Sequence, residues 1–167
     1  MSDSASARSE KQLDRVLSFF PRVEAKASFL FAIDTGMLGF AVLNVHKEDV
    51  AHWYVAGLAL VFVGMTATSL FYVYRCVFPH LKGGDGSLIY FRSIAGRSLA
   101  GFGESFASRD ETEHLKDLSE QIWRNSTILR VKFDYLKRAF QFTMCAIAPW
   151  LVMLTIAVQL RPMPTGM

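Results

Sequence analysis

Three blocks of this chain run for about 19 to 22 residues each almost without charge, and at 1.5 Å per residue each makes roughly 28–33 Å of helix, enough to cross a bilayer's hydrocarbon core. They are Ala27 to Val45, Trp53 to Tyr74 and Ala139 to Leu160. The second and third contain no charged residue, the third having Gln141 and Gln159 near its ends; the first contains one, Asp34. In hydrocarbon every backbone N–H and C=O must be paired within the segment, which a helix achieves alone. The expected fold class is therefore an all-α membrane protein: three transmembrane helices with helical cytoplasmic extensions. Over the 167 residues, 51% are hydrophobic, and this content is concentrated in blocks rather than spread as in a soluble domain. The first 26 residues are polar and mix acids with bases, and the first apolar block is too long for a signal-peptide core, so no cleavable signal is expected. Cys76 and Cys145 stand in no metal or redox spacing and are expected to be free thiols.

Lysine and arginine set the orientation. Five precede Ala27, one (Lys47) lies between the first two blocks, eleven lie in 75–138, and Arg161 alone follows the third block. The positive-inside rule places the N-terminus and 75–138 in the cytoplasm, with the short loop and C-terminal tail outside. The division is then an N-terminal cytoplasmic helix (1–20), a stalk and first span (21–46), an external loop (47–52), a second span (53–74), a cytoplasmic helical sensor region (75–138), a third span (139–160) and an external tail (161–167). Trp53, Tyr54, Tyr72 and Tyr74 sit at span ends, where an aromatic belt would put them, while Trp150 does not.

The polar segments have their own periodicity. Leu13, Val16, Leu17 and Phe20 predict an amphipathic helix over 9–20, and Pro21 can open a second helix that runs into the first span. Pro79 and the Lys82-Gly83-Gly84-Asp85-Gly86 run form a linker. They lack the Gly-Lys-Ser/Thr ending and preceding strand of a phosphate loop. Residues 88–106 predict one or two short helices. From Asp110, Leu115, Leu118, Ile122, Leu129, Phe133, Leu136 and Phe140 form a seam at three- and four-residue steps. Acids open this helix and Lys137 and Arg138 lead it to the membrane, so it should continue into the third span for about 50 residues. Asn125, Ser126 and Thr127 interrupt the seam; they either set helix register or line a ligand pocket.

No catalytic set is visible. His46, His52, His80 and His114 lack metal-ligand spacing, and there is no nucleophile elbow, carboxylate pair or Walker motif, so an enzyme, a metal site and a cofactor are not expected. Asp34 carries an insertion cost of about 2.5–3.5 kcal/mol. It is either a pore-lining or gating group, or a protonated or hydrogen-bonded aspartate at a helix contact. Beside it Ser28, Ala32 and Gly36 form a small-residue ladder, with Gly39 beyond, that would let another helix approach; Gly57, Gly64 and Thr68 suggest the same in the second span. One chain offers few partners for these, so a homo-oligomer is expected.

Four pieces in this order carry a family resemblance: Glu24-Ala25-Lys26-Ala27-Ser28-Phe29-Leu30; Pro79 after the second span; Leu88-Ile89-Tyr90-Phe91-Arg92-Ser93-Ile94-Ala95; and the long helix with Gln121-Ile122, Asn125-Ser126, Leu129, Lys132-Phe133 and Leu136. Over about residues 12–160 the chain resembles the transmembrane Pycsar effector proteins, a bacterial anti-phage defence family. The resemblance implies that a partner cyclase makes a cyclic pyrimidine mononucleotide on infection, and that the effector binds it in its cytoplasmic part and damages the inner membrane in abortive infection. It transfers no binding residue. Cyclic UMP or cyclic CMP needs a cation for its phosphate, polar donors and an aromatic wall. Tyr90, Phe91 and Arg92 supply wall and charge, and Asn125, Ser126, Arg130 and Lys132 supply donors. The expected partners are this nucleotide, the lipid bilayer and further copies of the chain, with no nucleic acid. A small oligomeric channel and a membrane scaffold, neither gated by nucleotide, remain the alternatives.

Overall fold

A computed structural model describes residues 4–78 and 86–160, which contain seven α-helices and no strand. Helix α1 spans Ala5–Leu17 and starts earlier than its apolar periodicity suggests, because Ser4 caps it: its hydroxyl accepts from the Ala7 amide at 3.2 Å. It ends where the Ser18 hydroxyl turns back to donate to the Arg15 carbonyl at 2.8 Å. Helix α2, Phe19–Asn44, begins at once, with Pro21 in its first turn, where a missing N–H costs nothing. The short loop expected at 47–52 holds a one-turn helix, α3 (Lys47–Val50), stabilised by Asp49, whose carboxylate accepts from the His46 amide at 2.9 Å. Helix α4 spans Trp53–Val77, three residues past the expected limit of the second span.

Pro79, His80 and the Lys82 to Asp85 part of the glycine run lie outside the described residues, as does the tail with Arg161. Gly86 has φ +85°, a left-handed conformation that a side chain would strain. Helices α5 (Phe91–Ala95) and α6 (Leu99–Ala107) follow. Helix α7, Glu111–Gln159, is one helix of 49 residues, roughly 73 Å long. The Asp110 carboxylate caps it by accepting from the Glu113 amide at 2.7 Å. It passes through Pro149 without a break; the neighbouring Trp150 donates its indole N–H to the Met37 carbonyl at 3.1 Å.

The chain divides into two compact units, residues 1–22 with 79–131 and residues 23–78 with 132–167. The boundaries, at 78/79 and 131/132, fall inside the expected cytoplasmic segment of 75–138, because the helix turns that adjoin the spans pack with them. The second unit contains the three apolar helical stretches, each long and apolar enough to cross a membrane. Its core comes from Val23, Ala27, Leu30, Asp34, Met37 and Ala41 of α2, from Val55, Phe62, Thr66, Ser69, Val73 and Cys76 of α4, and from Lys132, Leu136, Ala139, Thr143, Ala146, Met153 and Ala157 of α7.

The α7 face corrects the expected seam. Leu118 and Leu136 are buried, but Phe133 and Phe140 point outward, and Lys132, Ala139 and Thr143 take the inner face. Lipid tails are as apolar as leucine, so large side chains gain nothing by facing a neighbouring helix, whereas small ones let backbones approach and polar ones find partners. Phe29, Phe31, Phe40, Leu43, Leu60 and Phe71 likewise lie on the outer surface, which suits helices surrounded by lipid.

Candidate functional site

Each span contributes one polar side chain to the centre of the second unit. Asp34 of α2 is fully buried and accepts from the Ser69 hydroxyl at 2.6 Å and from the Thr143 hydroxyl at 2.9 Å. The two hydroxyls lie 2.8 Å apart, and both also reach the Ala139 carbonyl, at 3.1 and 3.2 Å. Two hydroxyl protons thus serve five short contacts, so the cluster can rearrange its hydrogen bonds without moving a helix. Nearer the end of the spans, the Lys132 ammonium donates to the Glu24 carboxylate at 3.0 Å, and Cys76 lies against the Lys132 carbonyl.

Asp34 and the small ladder are on opposite faces of α2. Ser28, Ala32 and Gly36 are exposed, and a Cβ added at Gly36, Gly39, Gly57 or Gly64 would meet nothing within 4 Å. Among the described residues nothing packs closely on Gly57 or Gly64, contrary to the expectation from the sequence; these glycines form part of the outer surface.

The first unit carries a denser polar network. The Ser87 hydroxyl accepts from the amides of Ile89 and Tyr90, at 3.1 and 3.0 Å, and from the Gln121 side chain at 3.1 Å. The Asp117 carboxylate accepts from the Leu88 amide at 2.9 Å and the Arg109 guanidinium at 2.8 Å. Burial pushes the Asp117 carboxyl up, but the hydrogen bonds from Ser87, Arg109 and Leu88, with the Arg109 charge, outweigh it and hold the group below the usual carboxylate range. These bonds fasten residues 87–90 along one face of α7, on which Asp117, Gln121 and Arg124 follow at four- and three-residue steps.

Arg124 stands out in that face. Its guanidinium lies over the Tyr90 ring, 4.8 Å from the centroid, and both Nη1 and Nη2 are buried without a hydrogen-bond partner. Among the described residues no other buried side-chain nitrogen or oxygen lacks a partner. A buried, unpaired cation is expensive, and an aromatic face offsets only part of the lost hydration. The arrangement favours an anion that can accept from both nitrogens.

A cavity of about 500 Å³ in the same unit is lined by Arg97, Arg109 and Lys116 and by Glu113, Asp117 and Glu120. Its formal charges cancel. Arg109 is bound to Asp117, and Arg97 donates to the Ser105 hydroxyl at 3.0 Å and the Gly86 carbonyl at 2.9 Å. A monoanion gains little there compared with Arg124.

The structure brings together only part of the expected ligand set. Tyr90 lies on Arg124, and Asn125 follows it, its amide donating to the Gln121 carbonyl at 2.8 Å. Phe91 packs edge-on against Tyr90 but is largely exposed, and Arg92, Ser126 and Arg130 are exposed. Lys132 does not join the group: it belongs to the second unit and is paired with Glu24. Successive helix positions diverge by about 100°, so residues 125, 126, 130 and 132 cannot all face one ligand. Arg124 and Gln121 were absent from the expectation. The available signal was their spacing from Asp117, which ordinarily reads as a solvated polar stripe. Among the described residues no three His, Cys, Asp or Glu side chains gather as metal ligands would.

A family model described as the Pycsar effector protein domain matches residues 8–159. No curated protein and no solved structure matches the chain.

Proposed function

The chain belongs to the Pycsar effector family, and on that premise we propose that it is an inner-membrane effector of bacterial anti-phage defence, switched on by cyclic UMP or cyclic CMP to impair the membrane. The family implies cyclic-nucleotide signalling, and the observation that carries the reading to particular residues is the unpaired Arg124 guanidinium on Tyr90. A cyclic pyrimidine mononucleotide brings one phosphate charge and one flat base. Arg124 offers two donors for the phosphate, Tyr90 a face for the base, and Gln121 and Asn125 amide groups for the base edge. Entry requires the short segment with α5 to shift from Arg124, and α5 has only five residues to hold it in place.

The effector acts by binding rather than by catalysis. The same helix, α7, carries Gln121 and Arg124 and, further along, Thr143 of the Asp34 cluster, so a change at the first has a continuous element through which to bias the second. A tenfold population shift needs about 1.4 kcal/mol of differential affinity. Further copies of the chain would pack on the Ser28, Ala32 and Gly36 ladder, which is exposed among the described residues. The five and eleven basic residues before and after the first two spans support a cytoplasmic N-terminus and a cytoplasmic Arg124 unit by the positive-inside rule.

Calorimetry of the detergent-purified full chain with cyclic UMP, cyclic CMP and cyclic AMP tests this. One pyrimidine nucleotide should bind, Arg124→Ala should weaken it about tenfold to a hundredfold, and Lys132→Ala should leave it unchanged. Binding that survives Arg124→Ala would move the site elsewhere. Wild-type protein that binds neither pyrimidine nucleotide would leave an ungated channel or a scaffold as the function.

A further inference from the structure

The second unit contains an apolar groove of about 460 Å³ between α2 and α7, lined by Phe29, Ile33, Phe133, Phe140 and Ile147, with Lys26 and Lys137 among its walls. Thr143 is the one uncharged polar residue that lines it. Lys26 immediately precedes the first apolar block and Lys137 lies two residues before the third, so both lysines belong at the level where lipid phosphates sit. Both are exposed, and among the described residues neither has an acidic partner. Apolar walls with two uncommitted cations at the polar boundary fit one molecule better than any other in a membrane.

We propose that this groove is a specific seat for an anionic phospholipid, its acyl chain lying between α2 and α7 and its phosphate held by Lys26 and Lys137. A second copy of the chain is a poorer occupant, because it would bring the same basic collar to the same depth and set like charges against each other. A zwitterionic lipid fits the apolar walls equally well, but its own ammonium offsets the attraction of its phosphate for the lysines. The seat does not depend on the nucleotide reading. Because Thr143 is in its wall and donates to Asp34, a chain in the groove would lie against the polar cluster that joins the three spans.

Native mass spectrometry of the full chain in detergent, with phosphatidylglycerol and phosphatidylcholine of identical acyl chains added in competition, reads this directly. A basic residue near an anionic headgroup contributes about a fivefold preference, so two give on the order of twentyfold for phosphatidylglycerol. The double variant Lys26→Gln with Lys137→Gln should bring the ratio close to one. Ile33→Trp, with both lysines kept, should fill the groove and reduce retained phosphatidylglycerol several-fold; Met144→Trp replaces it if that variant does not fold. A wild-type ratio near one, a ratio unchanged in the lysine variant, or lipid retention unchanged by the tryptophan each overturns the proposal. Cross-links across the groove between copies would overturn it in favour of a protein occupant.

Discussion

Replacing Asp34 with leucine takes away the one carboxylate that joins all three spans. Ser69 and Thr143 would each lose a hydrogen bond, at 2.6 and 2.9 Å, but each hydroxyl keeps the Ala139 carbonyl as an acceptor, so neither is left unsatisfied. Hydrogen bonds between helices in membranes average about 0.6 kcal/mol and reach about 1.7, which gives roughly 1–3 kcal/mol for the pair. The larger leucine in a fully buried position adds about 1–3 kcal/mol of overpacking. The expected loss is about 2–6 kcal/mol. Asparagine has nearly the size of aspartate, accepts from one hydroxyl and can donate to the other, so Asp34→Asn should cost about 1 kcal/mol or less. Trp150 reports on the same core through its bond to Met37, and its fluorescence during denaturation in mixed micelles, with Trp53 and Trp123 replaced by phenylalanine, gives the ordering. Leucine as stable as wild type would refute the hydrogen-bond account. Asparagine as damaging as leucine would show that the charge itself is needed. Dye release from vesicles then separates structure from output: loss in leucine alone indicates a polar contact, and loss in both indicates a charge in the opened path.

Asp117 makes the first unit acid-sensitive. Its folded carboxyl is held below the ordinary value near 3.9, so its contribution is complete above that value and lost as pH falls through the lower folded one. Protection of the Leu88 amide, measured against its intrinsic exchange rate at each pH, should stay high down to about pH 4 and fall below it, and Asp117→Asn should reduce protection at every pH; protection in that variant equal to wild type would count against the network. For topology, in a Cys145→Ser background, Glu48→Cys should react with an impermeant thiol reagent in intact cells and Ser98→Cys should not; equal labelling would contradict the assigned sides. Gly36→Leu blocks the open ladder and should shift the detergent-purified protein from oligomer towards monomer by light scattering. An active, monomeric wild type would remove the ladder from the mechanism.

Block length and the absence of charge were enough to identify the three spans and the continuity of α7, because a bilayer restricts the options to helices. Which face turned inward was not legible by the same rule. Phe133 and Phe140 were expected on the seam from a pattern that holds in water; in the spans the seam belongs to Ala139, Thr143 and Ala146. The Asp34 carboxylate appeared to share a surface with the glycine ladder, yet Asp34 to Gly36 is two positions, about 200° around a helix. Trp123 and Arg124 show the limit most clearly. Hydrophobicity favours burying the tryptophan and exposing the arginine, whereas Trp123 is 72% exposed and the Arg124 nitrogens are buried. Only the fold shows that Ser87 and Asp117 pin the intervening segment so that Tyr90 covers Arg124. That position carries no local signal, since 34 residues separate Tyr90 from Arg124 in the chain.

Under the proposed function, a cyclic pyrimidine nucleotide recognised at Arg124 opens the membrane. Dye release from vesicles containing the purified full chain, titrated with cyclic UMP and cyclic CMP, tests it most directly. The account predicts saturable release with one of the two, none with cyclic AMP, and a curve displaced about tenfold to a hundredfold by Arg124→Ala. Release of equal size without nucleotide, or no release with either pyrimidine nucleotide at saturating concentration, would contradict it.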